Sequence, residues 1–313
     1  MTQDTHAPTV ANAWADLLES AACPVCATEG VAVYRHGDLQ LGGEGEFGQR
    51  HCRQCGGYFL SPRVRESRIG EFYPEAYLPY LANRDPGLIA AVFGLGPRRR
   101  RIVERFVRRG RILDVGCGNG EFLRACDAGA WERYAVDVKR HLPPDAAIPF
   151  YEGAFDHAPP PFPAMDAITL WHVFEHLYHP AAALANAAAL LKPEGLLFLA
   201  IPDLRCLERS VFGRSWMGWD PPRHIATYSG AGIAELAGRA GFRIVDTRAD
   251  PCASGMLAMN IDWALRSFGL KTQLHRSLLA RALLFPLALA SVAIGLAPAR
   301  VYILKRLRDD GRE

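Results

Sequence analysis

The chain has 313 residues, of which 50% are hydrophobic and 22% are charged, and its formal net charge is +3. This balance is typical of a globular protein and gives no basis for nucleic acid as a partner. Residues Met1 to Val10 are polar and lack the apolar core of a signal peptide, so we expect a cytoplasmic protein.

Composition and pattern divide the chain into six segments. They are an N-terminal tail (1–19), a cysteine module (20–62), a linker with a helical cap (63–100), a large α/β domain (101–250), an apolar helical insert (251–298) and a final strand with a tail (299–313). Strand-like and helix-like patterns alternate through the large domain, which predicts a mostly parallel sheet with helices on both faces.

Two Cys-x-x-Cys pairs lie near the N-terminus, Cys23 with Cys26 and Cys52 with Cys55. Each pair lies in a turn, and four thiolates presented by two such turns form a closed tetrahedral Zn²⁺ site. A module this small buries too little apolar surface to fold without a cross-link such as a bound metal ion. The pattern therefore predicts a structural zinc ribbon. The alternatives are two unrelated cysteine pairs or a redox dithiol.

The segments on either side of the second cysteine pair carry further predictions. Val31–Tyr34 and Glu46–Phe47 can form a hairpin within the ribbon. The linker is rich in proline and aromatic residues, and we expect it to pack over the entrance of a binding site. Arg98 to Arg101 then begin an amphipathic helix. Their side chains form either a solvated face or a patch for an anionic substrate.

The most informative segment begins with an aliphatic run, Ile112 to Val115, which predicts a buried parallel strand. It leads into three glycines at alternate positions, Gly116, Gly118 and Gly120. Such glycines allow a sharp turn and a close approach of the backbone to a ligand. Asp114 then lies in the crevice where open α/β sheets bind ligands. The next strand ends at Asp137, whose carboxylate could hold both hydroxyls of a ribose.

A dinucleotide-binding loop is the rival interpretation of these glycines, but its spacing is different. That fingerprint is Gly-x-Gly-x-x-Gly/Ala, whereas here Gly118 is followed by Gly120 and then by Glu121. A carboxylate at the start of the helix would also repel a pyrophosphate. A cationic cofactor without phosphate suits these acidic residues better.

The order Asp-x-Gly-x-Gly-x-Gly from Asp114 to Gly120, followed by Asp137, resembles motif I of the class I S-adenosylmethionine-dependent methyltransferases. The resemblance implies a Rossmann-like sheet of seven mostly parallel strands. It also implies S-adenosylmethionine as cofactor, bound by Asp114, Gly116, Gly118, Gly120, Asp137, Trp171 and His172. The cysteine module and the stretches Trp171–Leu177 and Trp219–His224 further resemble a bacterial group with zinc-containing members that accompanies polysaccharide and sugar-modifying pathways.

Five more strands are expected after Asp137, near 148–151, 166–170, 196–201, 242–245 and 300–304. Helices are expected over 180–192 and from the capping Ser229 to Ala240. Methyltransferases usually place an acid just after the third strand for the adenine. Because this chain has both Glu152 and Asp156 there, the adenine contact stays open.

Three polar residues follow the fourth strand at the ligand-binding edge of the sheet. A hydroxyl acceptor must lose a proton, and histidine is suited to accept it, so His176 is the first candidate for a base and Glu175 could orient it. His224, after two prolines, is the second candidate and could hold the acceptor. Each histidine could instead be purely structural. The pattern from His172 to His176 also matches a metallopeptidase motif, so a divalent ion at these residues is a further alternative.

The most apolar part of the chain is 277–297, with no charge over the 16 residues from Ala282 to Ala297. Pro286 and Gly295 interrupt it, and its expected return to the sheet argues against a single membrane crossing. Two alternatives follow: a helical hairpin buried against the protein, or a monotopic anchor in a membrane interface, flanked by basic residues. The second would place the protein peripherally on the inner face of the membrane.

These patterns together predict an enzyme that transfers a methyl group from S-adenosylmethionine to a small polar acceptor. A sugar or glycan is the expected acceptor, with a lipid-linked form as one option. The alternative is a zinc-ribbon interaction module fused to a catalytically degenerate methyltransferase fold. Intact Asp114, Asp137 and loop glycines argue against degeneration.

Overall fold

We describe a computed structural model of the protein, covering residues 16–38, 40–42, 45–74, 95–143, 147–250 and 253–307. Most of the predicted N-terminal tail, residues 75–94 of the predicted linker and the last six residues lie outside these ranges.

A seven-stranded sheet forms the centre of the molecule, in the order β12-β13-β10-β9-β6-β7-β8. The strands are β6 (Gly110–Val115), β7 (Trp131–Asp137), β8 (Phe150–Glu152), β9 (Met165–Trp171), β10 (Leu191–Pro202), β12 (Phe242–Ala249) and β13 (Ala299–Arg306). Only β13 pairs antiparallel with its neighbours, β10 and β12. The predicted Rossmann-like sheet of seven mostly parallel strands is therefore confirmed.

Both faces of this sheet are covered, which explains the nearly continuous apolar runs of its central strands. Leu113 and Val115 of β6 point into one hydrophobic core, and Ile112 points into the other. The helices that surround the sheet are α1 (Gly96–Glu104), α2 (Glu121–Ala125), α3 (Pro180–Leu190), α4 (Leu207–Phe212) and α5 (Gly230–Arg239). The Ser229 hydroxyl accepts a hydrogen bond from the Gly232 amide and caps α5 as predicted.

Element boundaries differ modestly from the predicted ones. Strand β8 begins at Phe150, two residues later than expected, and β10 begins at Leu191, five residues earlier. Helix α3 consequently ends at Leu190 rather than at Lys192. The early start of β10 comes with an irregular register, since Leu191 pairs with Met165 before regular pairing resumes at Leu196.

The N-terminal module contains the predicted hairpin, made of β2 (Val31–His36) and β3 (Phe47–His51), and continues to β4 (Tyr58–Leu60). A further short pair joins β1 (Leu18–Glu19) to β5 (Arg63–Val64). The module is not self-contained, because β11 (Ala226–Thr227) pairs with β4 and completes its four-stranded sheet. The chain after the paired prolines thus connects the module to the large domain.

The insert between β12 and β13 holds two long helices, α6 (Ala253–Ser267) and α7 (Leu278–Ala293), which pack against each other. The buried hairpin expected within 277–297 is wrong, because this segment is one helix that continues through Pro286. Much of its apolar surface is exposed rather than buried. Every helix among the described residues falls short of the length and apolarity needed to cross a bilayer.

Candidate active site

The glycine loop follows β6 at the carboxyl edge of the sheet, and its backbone leaves no room for side chains. All three glycines, at positions 116, 118 and 120, have positive φ angles. A Cβ atom on Gly116 would lie 2.4 Å from Cγ2 of Val173, and one on Gly120 would lie 2.4 Å from Cδ2 of Leu142. Backbone and ligand can therefore approach closely here only because these residues are glycines.

Asp114 lies at the base of this loop and is almost completely buried. Its Oδ1 accepts a hydrogen bond of 2.7 Å from the Thr169 hydroxyl on the neighbouring strand β9. Burial raises the pKa of Asp114 to about 7, although the Thr169 hydrogen bond and the charge of Arg99 act in the opposite direction. The carboxyl can therefore gain or lose a proton near neutral pH.

Asp137 ends β7, the strand next to β6, and connects that strand to the glycine loop. Its two carboxylate oxygens accept hydrogen bonds from the backbone amides of Gly118, at 2.9 Å, and Val138, at 2.8 Å. Burial raises the pKa of Asp137, and these amides oppose that shift. The loop thus holds the carboxylate at the cavity wall, in the position where a ribose could be bound.

A cavity of about 780 Å³ lies over this edge of the sheet. Its volume is in the range of small-molecule sites. The residues predicted from the glycine motif that line it are Asp114, Gly116, Gly118, Asp137, Trp171 and His172. Gly120 is set back from the cavity and begins α2. Of the two acids considered for the adenine, Asp156 lines the cavity, whereas Glu152 does not.

The structure brings the two candidate catalytic histidines together on one wall of the cavity. The rings of His176 and His224 have centroids 4.6 Å apart and planes at 79°. Nδ1 of His176 lies 3.0 Å from the Arg223 carbonyl oxygen, and Nδ1 of His224 lies 2.9 Å from the Gly218 carbonyl oxygen. Since a carbonyl only accepts, each Nδ1 carries the proton and each Nε2 keeps its lone pair.

His176 is neutral under ordinary conditions, because burial and the neighbouring His224 lower its pKa to about 4. The hydroxyl of Tyr73, in the linker, lies 3.0 Å from Nδ1 of His176. Nδ1 of His176 is therefore contacted both by the Tyr73 hydroxyl and by the Arg223 carbonyl oxygen.

Glu175 is completely buried behind the histidines and does not line the cavity. Its Oε1 lies 3.3 Å from Nδ1 of His172. Burial alone would raise the pKa of Glu175, but His172 and the other nearby histidines lower it to about 2. Oε2 has no hydrogen-bond partner among the described residues. One ligand atom each of Glu175, His176 and His224 lies within 4.8 Å of the others, so these groups could share a proton or a cation.

His172 has a φ angle of 58°, which is unusual for a residue with a side chain. Its amide donates to the Ala200 carbonyl oxygen at 3.0 Å, so the neighbouring strand β10 holds this conformation. Such backbone strain is often stored where a side chain must be aimed into a site. Here it turns the chain at the end of β9 and directs His172 to the cavity.

Several cavity residues could not be identified from the sequence patterns. Arg99 of α1 places its guanidinium 4.8 Å from the ring of Trp171 and lies 3.3 Å from Oδ2 of Asp250. It therefore lines the cavity, whereas Arg98 and Arg101 of the same run are exposed, as expected of a solvated face. The insert helix α6 contributes the apolar side chains Met256, Met259 and Trp263. Such contacts depend on tertiary packing and leave no local signal.

The four cysteines of the N-terminal pairs converge at one point. Sulfur atoms of Cys23 and Cys55 lie 3.5 Å apart, and those of Cys26 and Cys52 lie 3.2 Å apart. Thiolates bound at about 2.3 Å from a tetrahedral zinc would be about 3.8 Å apart, so this arrangement fits the ion. A hydrogen bond from Cys55 lowers the pKa of Cys23 to about 5, while the same contact raises the pKa of Cys55.

The ribbon and the active-site wall are joined by a buried ionic cluster. Arg223 is fully buried, and its guanidinium donates hydrogen bonds of 2.7 Å and 2.8 Å to Asp38 of the ribbon. The same guanidinium contacts Asp220 at 2.7 Å and 3.0 Å. Arg223 is the residue whose carbonyl orients His176. The ribbon therefore helps to hold the position of a cavity histidine.

Comparison with known proteins agrees with this architecture. Residues 92–247 match the model of a family described as a methyltransferase domain. A ubiquinone biosynthesis O-methyltransferase from Xanthomonas campestris pv. campestris (strain B100) is 32% identical over 100 residues, covering 29% of this chain and 42% of the relative. A protein of the same name from Xylella fastidiosa (strain 9a5c) is 33% identical over 103 residues, covering 29% and 41%. The chain thus spans less than half the length of these relatives.

A solved structure shares the fold over a larger part of this chain. A chain from the complex of the Haloferax volcanii Trm112 methyltransferase activator matches with a TM-score of 0.50 and 18% identity. The match covers 73% of this chain and 97% of that chain. Since family model and fold agree over the sheet that carries Asp114 and Asp137, residues 92–247 form a methyltransferase domain of the class I, S-adenosylmethionine-dependent type.

Proposed function

We propose that the protein transfers a methyl group from S-adenosylmethionine to a hydroxyl of a small polar acceptor. The observation that carries this proposal is the single cavity lined by Asp114 and Asp137 on one wall and by His176 and His224 on another. S-adenosylmethionine supplies a methyl group already activated by its sulfonium. The protein therefore mainly has to bind, align and exclude water.

The cofactor-binding roles follow from the positions of the two aspartates. Asp137 would accept hydrogen bonds from both ribose hydroxyls and so fix the orientation of the nucleoside. Asp114 offers negative charge at the base of the loop, which suits a cationic cofactor. Trp171 and His172 line the same cavity between these residues and the histidine pair. These roles agree with the resemblance of the loop to motif I.

The proton of the acceptor hydroxyl is expected to pass to Nε2 of His176 or His224. Each ring is held by a backbone carbonyl at Nδ1, so the lone pair on Nε2 has a defined direction. The nearby Glu175 carboxylate would stabilise the imidazolium that forms.

The acceptor is proposed to be a sugar or glycan. The cavity is lined by the polar residues Glu66, Tyr73 and Asp220 and by apolar side chains from α6. Carboxylates that accept hydrogen bonds from hydroxyls, beside aromatic rings that pack on sugar faces, suit a carbohydrate. The name of the relatives, ubiquinone biosynthesis O-methyltransferase, supports methylation at oxygen but refers to ubiquinone biosynthesis rather than to a sugar.

The four clustered cysteines are proposed to bind one structural Zn²⁺. All four come from the ribbon, so the protein would supply a complete tetrahedral set and leave no position open for a substrate. Cys23, Cys52 and Cys55 are buried in the same hydrophobic core as Leu113. The metal would therefore stabilise the ribbon and its packing on the sheet rather than take part in methyl transfer.

The test is transfer of a radiolabelled methyl group from S-adenosylmethionine to a panel of acceptors. The panel should contain nucleotide sugars, lipid-linked glycans and hydroxylated aromatic compounds. The proposal predicts labelled product with a carbohydrate acceptor and loss of labelling when His176 and His224 are both replaced by Ala. Labelling of aromatic compounds alone would contradict the carbohydrate assignment. Binding of the cofactor without transfer to any acceptor would favour the degenerate fold.

A further inference from the structure

Apart from Arg281 and Ser291, helix α7 consists of apolar residues, but it packs against the protein along one stripe only. Ala288 and Ser291 are buried, and Leu284 and Val292 are partly buried against α6. Six other large side chains of the helix are between 46% and 73% exposed: Leu278, Leu279, Leu283, Phe285, Leu287 and Leu289. A helix that is apolar all round normally lies in a protein core or a membrane.

The exposed apolar surface continues beyond the helix itself. Phe268 and Leu270, in the connection between α6 and α7, are 82% and 56% exposed, and Ile294 after α7 is 67% exposed. Monomeric proteins rarely leave so many large side chains exposed in one region, and such patches usually mark an interaction site.

The sequence around this helix carries basic residues only. The 46 residues between Asp262 and Asp309 contain eight Lys or Arg residues and no Asp or Glu. Arg300 and Lys305, after the helix, form ion pairs with Asp203 and Glu194, whereas Lys271 and Arg276 are exposed just before α7 begins. Exposed apolar side chains beside these cations are complementary to a hydrocarbon layer below anionic lipid headgroups.

We propose that α7 is a monotopic anchor that lies in the interface of an anionic membrane. Its exposed leucines and Phe285 would enter the boundary between headgroups and acyl chains, while the flanking cations contact lipid phosphates. A second copy of the chain fits this surface less well, because two such faces would bring like charges together. This proposal concerns membrane binding alone and does not depend on methyl transfer.

The anchor lies directly behind the active site. Helix α6 packs on α7 and presents Met256, Met259 and Trp263 to the cavity. One helix therefore separates the proposed membrane surface from the place where the acceptor would bind. An acceptor carried by a lipid could reach the cavity without leaving the interface.

The experiment is flotation of the full chain with vesicles, compared between the wild type and two variants. The double variant Leu279→Glu/Leu283→Glu introduces two carboxylates on the exposed face of α7. Val33→Glu is the matched control, because Val33 is 42% exposed but belongs to the ribbon strand β2. Circular dichroism and thermal unfolding establish that all three proteins are equally folded.

The proposal predicts that the wild type and Val33→Glu float with phosphatidylglycerol vesicles and bind phosphatidylcholine vesicles much more weakly. The double variant should bind about tenfold less or worse, and high salt should weaken binding of the wild type. Wild-type protein that stays in the bottom fraction would overturn the proposal, as would a double variant that floats normally. A wild-type dimer in solution that the double variant converts to a monomer would instead identify the face as a contact between copies.

Discussion

The carbonyl oxygen of Arg223 lies 3.0 Å from Nδ1 of His176. The guanidinium of the same arginine is fully buried between Asp38 of the ribbon and Asp220. Desolvation alone would lower the pKa of Arg223, but the two carboxylates hold it well above its usual range. The position of a proposed catalytic histidine thus depends on an ion pair with the N-terminal ribbon.

Removing one partner of this cluster should cost much stability. Asp38→Ala leaves a buried guanidinium with half of its charge compensation, so we expect a loss of about 3–5 kcal/mol in the free energy of unfolding. Denaturant titration measures it. Asp246→Ala is the control, since its ion pair with Arg248 is at the surface and should contribute less than about 1 kcal/mol. Equal losses in the two variants would refute the structural role of the Arg223 cluster.

Metal content tests the cysteine site. The purified protein should contain about one zinc per chain, and the Cys52→Ser/Cys55→Ser variant should lose it. Chelation should also loosen the ribbon sheet, including its pairing with the chain at β11, as seen by faster exchange of the Leu60 amide, which donates to the Ile225 carbonyl oxygen at 3.0 Å. The control is Cys126→Ser, a buried cysteine outside the cluster, which should keep its zinc. Metal-free protein with a normally folded ribbon would rule out the zinc.

The sequence predicted the central sheet well because its signals are local. A buried aliphatic run, alternating glycines and an acid at the end of the next strand specify β6, its loop and β7 from a few neighbouring residues. The two cysteine pairs are equally local. Packing between distant elements has no such signal. The spacing of residues does not predict that β11 joins the ribbon sheet. It also does not predict that Arg223 contacts Asp38, which lies 185 positions earlier in the chain.

Helix α7 is a second feature that local sequence signals did not predict. Pro286 and Gly295 suggested an interrupted segment that would fold back on itself, since proline removes a backbone hydrogen bond. The structure continues the helix through Pro286 and ends it before Gly295. Pro286 therefore did not interrupt this segment, whose one buried stripe packs on α6. Gly295, with a φ angle of 81°, follows the C-cap residue of the helix, as is usual for a glycine that ends a helix.

Turnover should depend on both cavity histidines. His176→Ala and His224→Ala are each expected to lower it by about 10²–10⁴, while affinity for S-adenosylmethionine changes little. Turnover of the double variant should fall by a smaller factor than the product of the two single reductions, because the two rings act as one pair. The control is His51→Ala, whose ring packs against Tyr58 in the ribbon and does not line the cavity. Wild-type turnover in both single variants would leave only alignment as the source of catalysis.

Cofactor affinity should rise with pH around neutrality. The pKa of Asp114 is raised to about 7, so the carboxyl is mostly protonated at pH 6 and mostly ionised at pH 8. A cationic cofactor favours the ionised form, so affinity should increase over this interval and binding should release protons. Calorimetry in buffers of different ionisation enthalpy measures both effects. Asp114→Asn should remove the pH dependence. An affinity that is flat from pH 6 to pH 8 in the wild type would contradict the role of Asp114.

The central claim is that the crevice between β6 and β7 binds S-adenosylmethionine through Asp137. Calorimetric titration of the wild type, Asp137→Ala and the surface control Asp127→Ala tests it most directly. The account predicts binding by the wild type and by Asp127→Ala, and a loss of about 1.5–3 kcal/mol in Asp137→Ala, because charge-assisted hydrogen bonds to the ribose disappear. Equal affinity in Asp137→Ala and the wild type, or no binding by the wild type, would contradict the account.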